Sequence, residues 1–376
     1  MSGKPELRIG IIGYGAMGKA HAYAYEVAPI MQRLSVTPRV VVISGRDAAA
    51  VSDAAQKYGI PEWTTDWHEI VARDDIDVID ICTPPGTHAE ISAAAAAAGK
   101  SVICEKPLAT SLTDSVSAMN AVDQAGVHNA VGFNYRCLPA VALMQRMITE
   151  GAVGDVLLWR AIWLSDEFAD ATIPFDWRFD KSMGASTIAD LGSHLIDMAL
   201  WMGGPIDGVS AQSSTFTTER TSTEGPKPVT CDESTQAMLR FTSGARGLLE
   251  VGRVSVRRPC DFFVEVNGTR GTLIFDYSQL NELRYGSVDD DPSLYGLRTI
   301  RAEHPTHPYS ANWWAIGQGV GYGSSFVNQI GNLLRDWPNE KWEPSFAQGM
   351  KVQAVCDAIE RSSASDAWVT IDQAHR

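Results

Sequence analysis

Three groups of residues in this chain of 376 have types and spacings suited to chemistry. Glu105-Lys106-Pro107 follows the apolar run SVIC directly, which puts an ammonium where a buried strand should end. Asp190 and His194 stand four apart in ASTIADLGSHLIDMALWMGG; on a helix they share a face with Asp197 and Trp201, while Leu191, Leu195, Met198 and Met202 point mainly elsewhere. Gly13-Tyr14-Gly15-Ala16-Met17-Gly18 forms a GxGxxG after LRIGII. Together they suit oxidation of a secondary alcohol, in which a base within about 2.6 to 3.2 Å takes the hydroxyl proton and a fixed positive charge steadies the developing alkoxide. His194 suits the base at neutral pH, Lys106 the charge and Asp190 the orienting group, although lysine and histidine could exchange roles. Each also has a plainer reading: an Asp and His four apart form an ordinary helix pair, and Lys106 could be a solvated loop lysine beside Glu105. A Schiff-base lysine would leave the glycines unexplained.

The elements that must hold these residues follow from periodicity. LRIGIIG, RVVVIS, DVIDIC, SVIC and HNAVGF are apolar runs separated by helical stretches, the pattern of βαβ crossovers. Residues 1–130 therefore read as a doubly wound Rossmann domain with a parallel sheet. In that setting Gly13 makes the turn, Gly15 admits a pyrophosphate to the backbone and Gly18 allows close helix packing, with the phosphates on the helix N-terminus. After the second strand stand Ser44, Gly45, Arg46 and Asp47. The carboxylate that would grip an NAD ribose is absent at the first position; Ser44 and Arg46 suit the 2′-phosphate of NADP, and Asp47 or a backbone amide could still serve NAD. Thr83, Pro84, Pro85 and His88, in a stiff loop, and Glu105 with Lys106 lie farther along the same sheet edge, over the nicotinamide crevice.

Residues 131–376 read as a second, α+β domain. DVLLWRAIWL, STQAMLRF, ARGLLEVGRVSV, DFFVEV and GTLIFDY alternate apolar and polar residues, with Ser243-Gly244 and Asn267-Gly268 as hairpin turns, so a large, mostly antiparallel sheet is expected. Segment 281–323 reads as ordered loop, and helices are expected at Ser324–Trp337 and Phe346–Ser362. Trp159, Arg160, Trp163, Trp177 and Arg178 offer aromatic faces and guanidinium groups suited to a sugar ring or an anionic substituent, and equally to an oligomer interface. Tyr14, Asn134, Tyr135 and Arg136 are candidates to border substrate or nicotinamide, and Tyr135 could equally be a core residue.

Composition bounds the partners. A net charge of −14 argues against nucleic acid and anionic membranes as partners. No apolar stretch reaches the ~18 residues of a membrane-spanning helix, and MSGKPE leaves no room for a signal peptide before the first strand, so the cytoplasm is expected. The six cysteines lack metal-type pairing and read as reduced and structural. His304 and His307 have a metal-like spacing, but prolines flank them and no third ligand is evident, so no metal is expected.

IGIIGYGAMGKAHA, CTPPGTHAE, CEKPLA, GFNYR and ADLGSHLIDMALWMGG occur in an order that resembles the glucose-fructose oxidoreductase, inositol dehydrogenase and MocA family over essentially the whole chain. The resemblance implies a Rossmann domain plus a large open sheet often used for oligomer contacts, here a homo-oligomer (dimer or tetramer). It also implies that Lys106, Asp190 and His194 are the polar catalytic set; Tyr135, Arg136, Trp163 and Arg178 are expected as further substrate contacts from their own chemistry alone. NELRYG, HPY, WW and GYG look like the branch acting on sugars and inositols; Gln318 stands where many relatives carry histidine. The leading function is then NAD(P)-dependent oxidation of a sugar or cyclic polyol. The alternatives are a glycosidase that oxidises, eliminates, hydrates and reduces its glycoside with NAD, and a ligand sensor without turnover, against which the intact trio argues.

Overall fold

The computed structural model describes residues 4–375. They cluster into two compact units: the chain up to Cys137 together with Gly321–Met350, and Leu138–Val320 together with the chain from Lys351 onward. Segment 321–350, expected in the C-terminal domain, thus packs with the nucleotide half. The second division falls inside the helix Phe346–Ser365.

In the first unit, strands β1 (Glu6–Ile12), β2 (Thr37–Ser44), β3 (Glu62–Thr64), β4 (Val78–Ile81), β5 (Ser101–Cys104) and β6 (Asn129–Val131) form a parallel sheet in the order β3-β2-β1-β4-β5-β6. The order reverses between β1 and β4, and in such sheets ligands bind outside the carboxyl ends at that point. Ile9, Ile11, Val78, Ile79, Val102 and Ile103 are fully buried, as near-continuous apolar strands must be when both sheet faces are covered. The helices α1 (Ala16–Met31), α2 (Ala48–Tyr58), α3 (Trp67–Val71), α4 (His88–Ala97) and α5 (Leu112–Ala125) connect them. Caps define their ends: Asp47 and Ser111 accept from Ala50 and Asp114 N–H at the starts of α2 and α5. Strand β3 and helix α3, of three and five residues, are too short to show periodicity. The helix Gly323–Leu334 lies along α1, and Gln32 donates to Asn328 Oδ1 (3.2 Å) over the bare Gly331.

The second unit is built on a nine-stranded sheet. Helix α6 (Pro139–Thr149) leads to β7 (Val156–Leu164), helix α7 (Ser193–Gly203), β8 (Ile206–Ser214) and a ribbon of β9 (Glu219–Arg220) with β10 (Lys227–Pro228). Then follow β11 (Ser234–Phe241), β12 (Arg246–Gly252), β13 (Asp261–Gly268), β14 (Gly271–Asp276), β15 (Glu282–Ser287), β16 (Arg298–Arg301) and β17 (Val369–Thr370), in the order β16-β15-β14-β13-β7-β12-β11-β8-β17. The β7–β12 pair is parallel and the others are antiparallel. Alternation sorts the faces: Thr235, Ala237, Leu239 and Phe241 are buried while Gln236 and Met238 are exposed. Helix α7 packs against β7, and α6 against β14 and β15.

Two expectations are corrected here. Segment 281–323 is loop only in part, because β15 and β16 extend the sheet; Leu283 and Tyr285 point inward between Glu282, Arg284 and Gly286, an alternation too brief to stand out among the flanking Gly and Asn. The Ser243-Gly244 turn is present, with Gly244 at φ 94°, but Asn267-Gly268 is not the tip of its hairpin. Asn267 still pairs with Thr272, and Gly268 forms an irregularity where a Cβ would meet Val153 O at 2.2 Å.

Candidate active site

The glycine turn is shaped as its spacing suggested. Gly13 has φ 110°, and a Cβ there would lie 2.5 Å from Cys82 O. At Gly18 a Cβ would stand 2.0 Å from Gly13 O, whereas at Gly15 no heavy atom lies within 4 Å. The open approach is therefore at Gly15, the residue capping α1, with exposed Ala16 and half-buried Met17 in the first turn. This is the geometry a pyrophosphate needs at a helix N-terminus. Tyr14 lays its ring on Gly45, where a Cβ would fall 2.0 Å from the ring carbon. Ser44 is buried, and its carbonyl accepts from Gly13 N–H at 2.9 Å. Arg46 is exposed and Asp47 caps α2.

Farther along the same edge, Thr83, Pro84 and Pro85 are half-buried. His88 is wholly buried, its Nδ1 2.8 Å from Pro107 O and its Nε2 2.8 Å from Thr83 O, so it staples this loop to the Lys106 turn. Glu105 points inward rather than into the crevice. Its Oε1 lies 3.0 Å from His21 Nε2 and its Oε2 accepts the Lys106 N–H at 3.2 Å. His21 also meets Asp80, and Tyr25 donates its hydroxyl to Asp80 at 2.9 Å. In the same unit the buried Tyr135 ring lies 5.6 Å from the Tyr322 ring, and Asn134 Nδ2 donates to Ser325 Oγ at 2.8 Å. Arg136 is half-buried beside them in sequence. Burial raises the Tyr322 phenol; Asn134 lowers it somewhat, Glu105 raises it and Lys106 lowers it.

In the second unit, Asp190 does not sit on a regular α-helix. Residues Ile188–Gly192 form a π-helical turn, and α7 begins at Ser193. A π turn here re-aims the residues ahead of α7, as such bulges often do at functional positions. Asp190 is 39% exposed by side chain and faces Arg253, 2% exposed, whose Nη1 is 3.7 Å from its Oδ2. Arg253 Nε donates to Thr187 Oγ1 at 2.9 Å, and its guanidinium lies 4.7 Å from the centre of the Phe168 ring. His194 is buried on the first turn of α7, with the Trp163 ring 5.7 Å away and Phe262 stacked behind Trp163 at 5.0 Å. Trp163 thus joins His194, while Arg160, on the same strand, faces the opposite side of the sheet. Arg178 pairs with Asp176 at 2.9 Å and lies over Trp177.

Comparison with known proteins shows the family. Residues 7–133 match the oxidoreductase family with an NAD-binding Rossmann fold, and residues 141–274 match the GFO/IDH/MocA C-terminal domain. A levoglucosan dehydrogenase from Pseudarthrobacter phenanthrenivorans is 37% identical over 385 residues, covering 98% of both chains. The chain belongs to the GFO/IDH/MocA oxidoreductase family. Among solved GFO/IDH/MocA-like structures, an oxidoreductase domain protein from Kribbella flavida matches with TM-score 0.95 at 39% identity, over 98% of this chain and 100% of that one. A levoglucosan dehydrogenase in complex with NADH and levoglucosan matches with TM-score 0.95 at 37% identity over the same shares. The GFO/IDH/MocA nucleotide half also contains residues that sequence reasoning passed over. Asp80, in the middle of the apolar strand DVIDIC, was a visible signal, because a buried carboxylate needs a partner. His21 lacked one: it sits among alanines and tyrosines on a helix. Nothing in the sequence ties Arg253 to Asp190.

Proposed function

We propose that this protein oxidises a secondary hydroxyl of a cyclic sugar or polyol with NAD, and that an anhydrosugar of the levoglucosan type is the first substrate to test. The observation that carries this reading is the full-length likeness to levoglucosan dehydrogenase, including its complex with NADH and levoglucosan. NAD, when bound, supplies the hydride acceptor. Gly15 receives its pyrophosphate at the start of α1, in a turn that Gly13 closes and Gly18 lets pack tightly, and Tyr14, Ser44, Gly45 and Arg46 border the adenosine end. Thr83, Pro84 and Pro85 flank the nicotinamide end, with His88 and Glu105 holding that edge from beneath.

His194 takes the hydroxyl proton. The Trp163 ring lies tilted beside its imidazole at 5.7 Å, and Phe262 stacks on the Trp163 ring at 5.0 Å. Lys106 offers an ammonium to the developing alkoxide charge, the interaction that counts because it strengthens towards the transition state. Asp190, held by Arg253, orients the imidazole or a substrate hydroxyl. Tyr135, Arg136 and Arg178 are proposed as further substrate contacts. The protein is proposed to act as a homo-oligomer through the outer face of its nine-stranded sheet, where Leu158 (53%), Met238 (47%) and Leu248 (55%) are exposed; contiguous apolar surface of this kind marks interaction sites.

The test is a panel of anhydrosugars, inositols and aryl glycosides assayed with NAD and with NADP, following NAD(P)H and released aglycone together. Reduced cofactor should accumulate in proportion to product. Aglycone release over many turnovers without net NADH would replace this reading with the redox-assisted glycosidase.

A further inference from the structure

Beneath the turn that carries Lys106 lies a row of buried ionisable groups that the reaction above does not use. His21, on the inward side of α1, has Nδ1 2.9 Å from both oxygens of Asp80 and Nε2 3.0 Å from Glu105 Oε1. The three are 1%, 0% and 4% exposed. Two carboxylates removed from water need a counter-charge, and an imidazole can donate from both nitrogens only as the imidazolium. Burial is the largest single influence and would lower the His21 pKa, but the charges of Asp80 and Cys82 and the hydrogen bonds to them together outweigh it and hold it well above its ordinary value. The end of β6 is shaped around the same carboxylate, since a Cβ on Gly132 would lie 2.5 Å from Glu105 Oε1.

The other groups facing this row are few. Tyr25 OH and Cys82 Sγ donate to Asp80 at 2.9 and 3.6 Å, and the Phe326 ring lies 5.8 Å from His21. On the far side are the Lys106 N–H, His88 and Tyr322. His21, Asp80 and Cys82 bring ligand atoms within 4.8 Å of one another. Both ring nitrogens already face carboxylates, and burial, with Asp80, pushes the Cys82 thiol up to about 12. A proton therefore joins them, and the charges alternate from Asp80 through His21 to Glu105, whose other oxygen accepts the Lys106 backbone N–H.

We propose that His21 is a positioning residue for Lys106: it pins the Glu105 carboxylate and balances its charge, so that Lys106 is presented to substrate instead of collapsing onto its own neighbour. This rests on the reading of Lys106 as the charge stabiliser. Loss of the His21 charge leaves Glu105 uncompensated, which draws Lys106 inward and raises its pKa. Loss of the Glu105 charge has the opposite sign.

The test uses the full-length protein with His21→Gln, Glu105→Gln, Lys106→Met and the double variant His21→Gln/Asp80→Asn. The pKa of Lys106 is read from the pH dependence of its acetylation by acetic anhydride, followed by peptide mass spectrometry, and kcat and KM are measured with levoglucosan. His21→Gln should raise the Lys106 pKa by about one unit and lower kcat roughly tenfold or more, with KM and NADH affinity nearly unchanged. Glu105→Gln should lower that pKa. The double variant, which removes a balanced pair of charges but leaves Glu105 without its partner, should leave that pKa raised by less than His21→Gln does. An unchanged Lys106 pKa in His21→Gln, shifts of one sign in both single variants, or a double variant no nearer wild type than His21→Gln would each overturn the proposal. If His21→Gln does not fold, Glu105→Gln and the double variant still decide by the sign of their shifts. Wild-type turnover in Lys106→Met would instead overturn the role assigned to Lys106 itself, whatever the labelling shows.

Discussion

Gly15→Ala should separate nucleotide binding from folding. An added Cβ meets nothing within 4 Å, and the residue already has φ −69°, so alanine fits the space and the backbone. The fold loses only the better helix cap, about 1 kcal/mol or less, which lowers Tm by no more than about 4 °C in units of this size. The methyl occupies the approach assigned to the pyrophosphate. Displacing even one hydrogen bond to a charged phosphate costs about 1.5 to 3 kcal/mol, or roughly a 10- to 150-fold rise in the NADH Kd. Gly18→Ala should do the reverse: its Cβ would stand 2.0 Å from Gly13 O, and relief of such a clash by backbone movement costs about 1 to 3 kcal/mol, seen in Tm without any ligand. Fluorescence titration with NADH and melts with and without nucleotide distinguish the two. At NADH equal to 100 wild-type Kd the ligand stabilises the wild type by about 2.7 kcal/mol, and a 50-fold weaker Gly15→Ala by only about 0.6 kcal/mol. NADH affinity within twofold of wild type in Gly15→Ala would refute the placement of the pyrophosphate. A large loss of Tm in the unliganded variant would refute the open space.

Lys106→Met should cut turnover by roughly 10² or more while NADH binding survives, and His194→Ala should do likewise and abolish the acidic limb of the kcat/KM profile. An unchanged profile in His194→Ala would move the base to Lys106 or to water. Arg46→Ala should weaken NADP far more than NAD, by about 1.5 to 3 kcal/mol, if the exposed guanidinium meets a 2′-phosphate; equal losses by titration would leave Arg46 on the adenine or shaping the loop. Leu248→Asp should lower the mass measured by light scattering to that of a smaller assembly, with Tm reduced by the lost association. A mass identical to wild type would remove the outer sheet face from the interface.

Much of the nucleotide half was legible because its signals are local. A strand, three glycines and a helix lie in one continuous stretch, and each glycine has a separate steric reason that needs no tertiary knowledge. The apolar runs of β1, β4 and β5 were readable for the same reason. What escaped depends on distance in the chain. Segment 321–350 is helical in sequence, but its packing along α1 rests on Gln32 reaching Asn328 across the bare Gly331, a match between positions nearly 300 residues apart. The π turn at Asp190 escaped for another reason: i,i+4 spacing looks the same on paper whether the backbone closes on the fourth or the fifth residue. Arg160 and Trp163 looked like one cluster, yet the two-residue period of β7 sends them to opposite faces.

The residues hardest to read were the charged ones placed behind those proposed to act, and physics gives a reason why they are needed. A side chain that must present charge to a substrate cannot be fully hydrated, because water would compete for the same interaction, so part of its solvation has to come from fixed groups. Such a group must be buried to stay fixed, and a buried charge is tolerable only with partners of its own. Asp190 fits this description with Arg253, which is itself anchored by Thr187 and by the carbonyl of Asp232 at 3.5 Å. On the proposed reading Lys106 has the same support one step deeper, since Glu105 would neutralise it unless His21 and Asp80 drew the carboxylate the other way. The contacts that hold these supports join residues 21 to 84 positions apart, beyond the reach of any short motif. The family's motifs mark the residues proposed to meet the substrate, whereas the groups that set their charge and direction show only when the chain is folded.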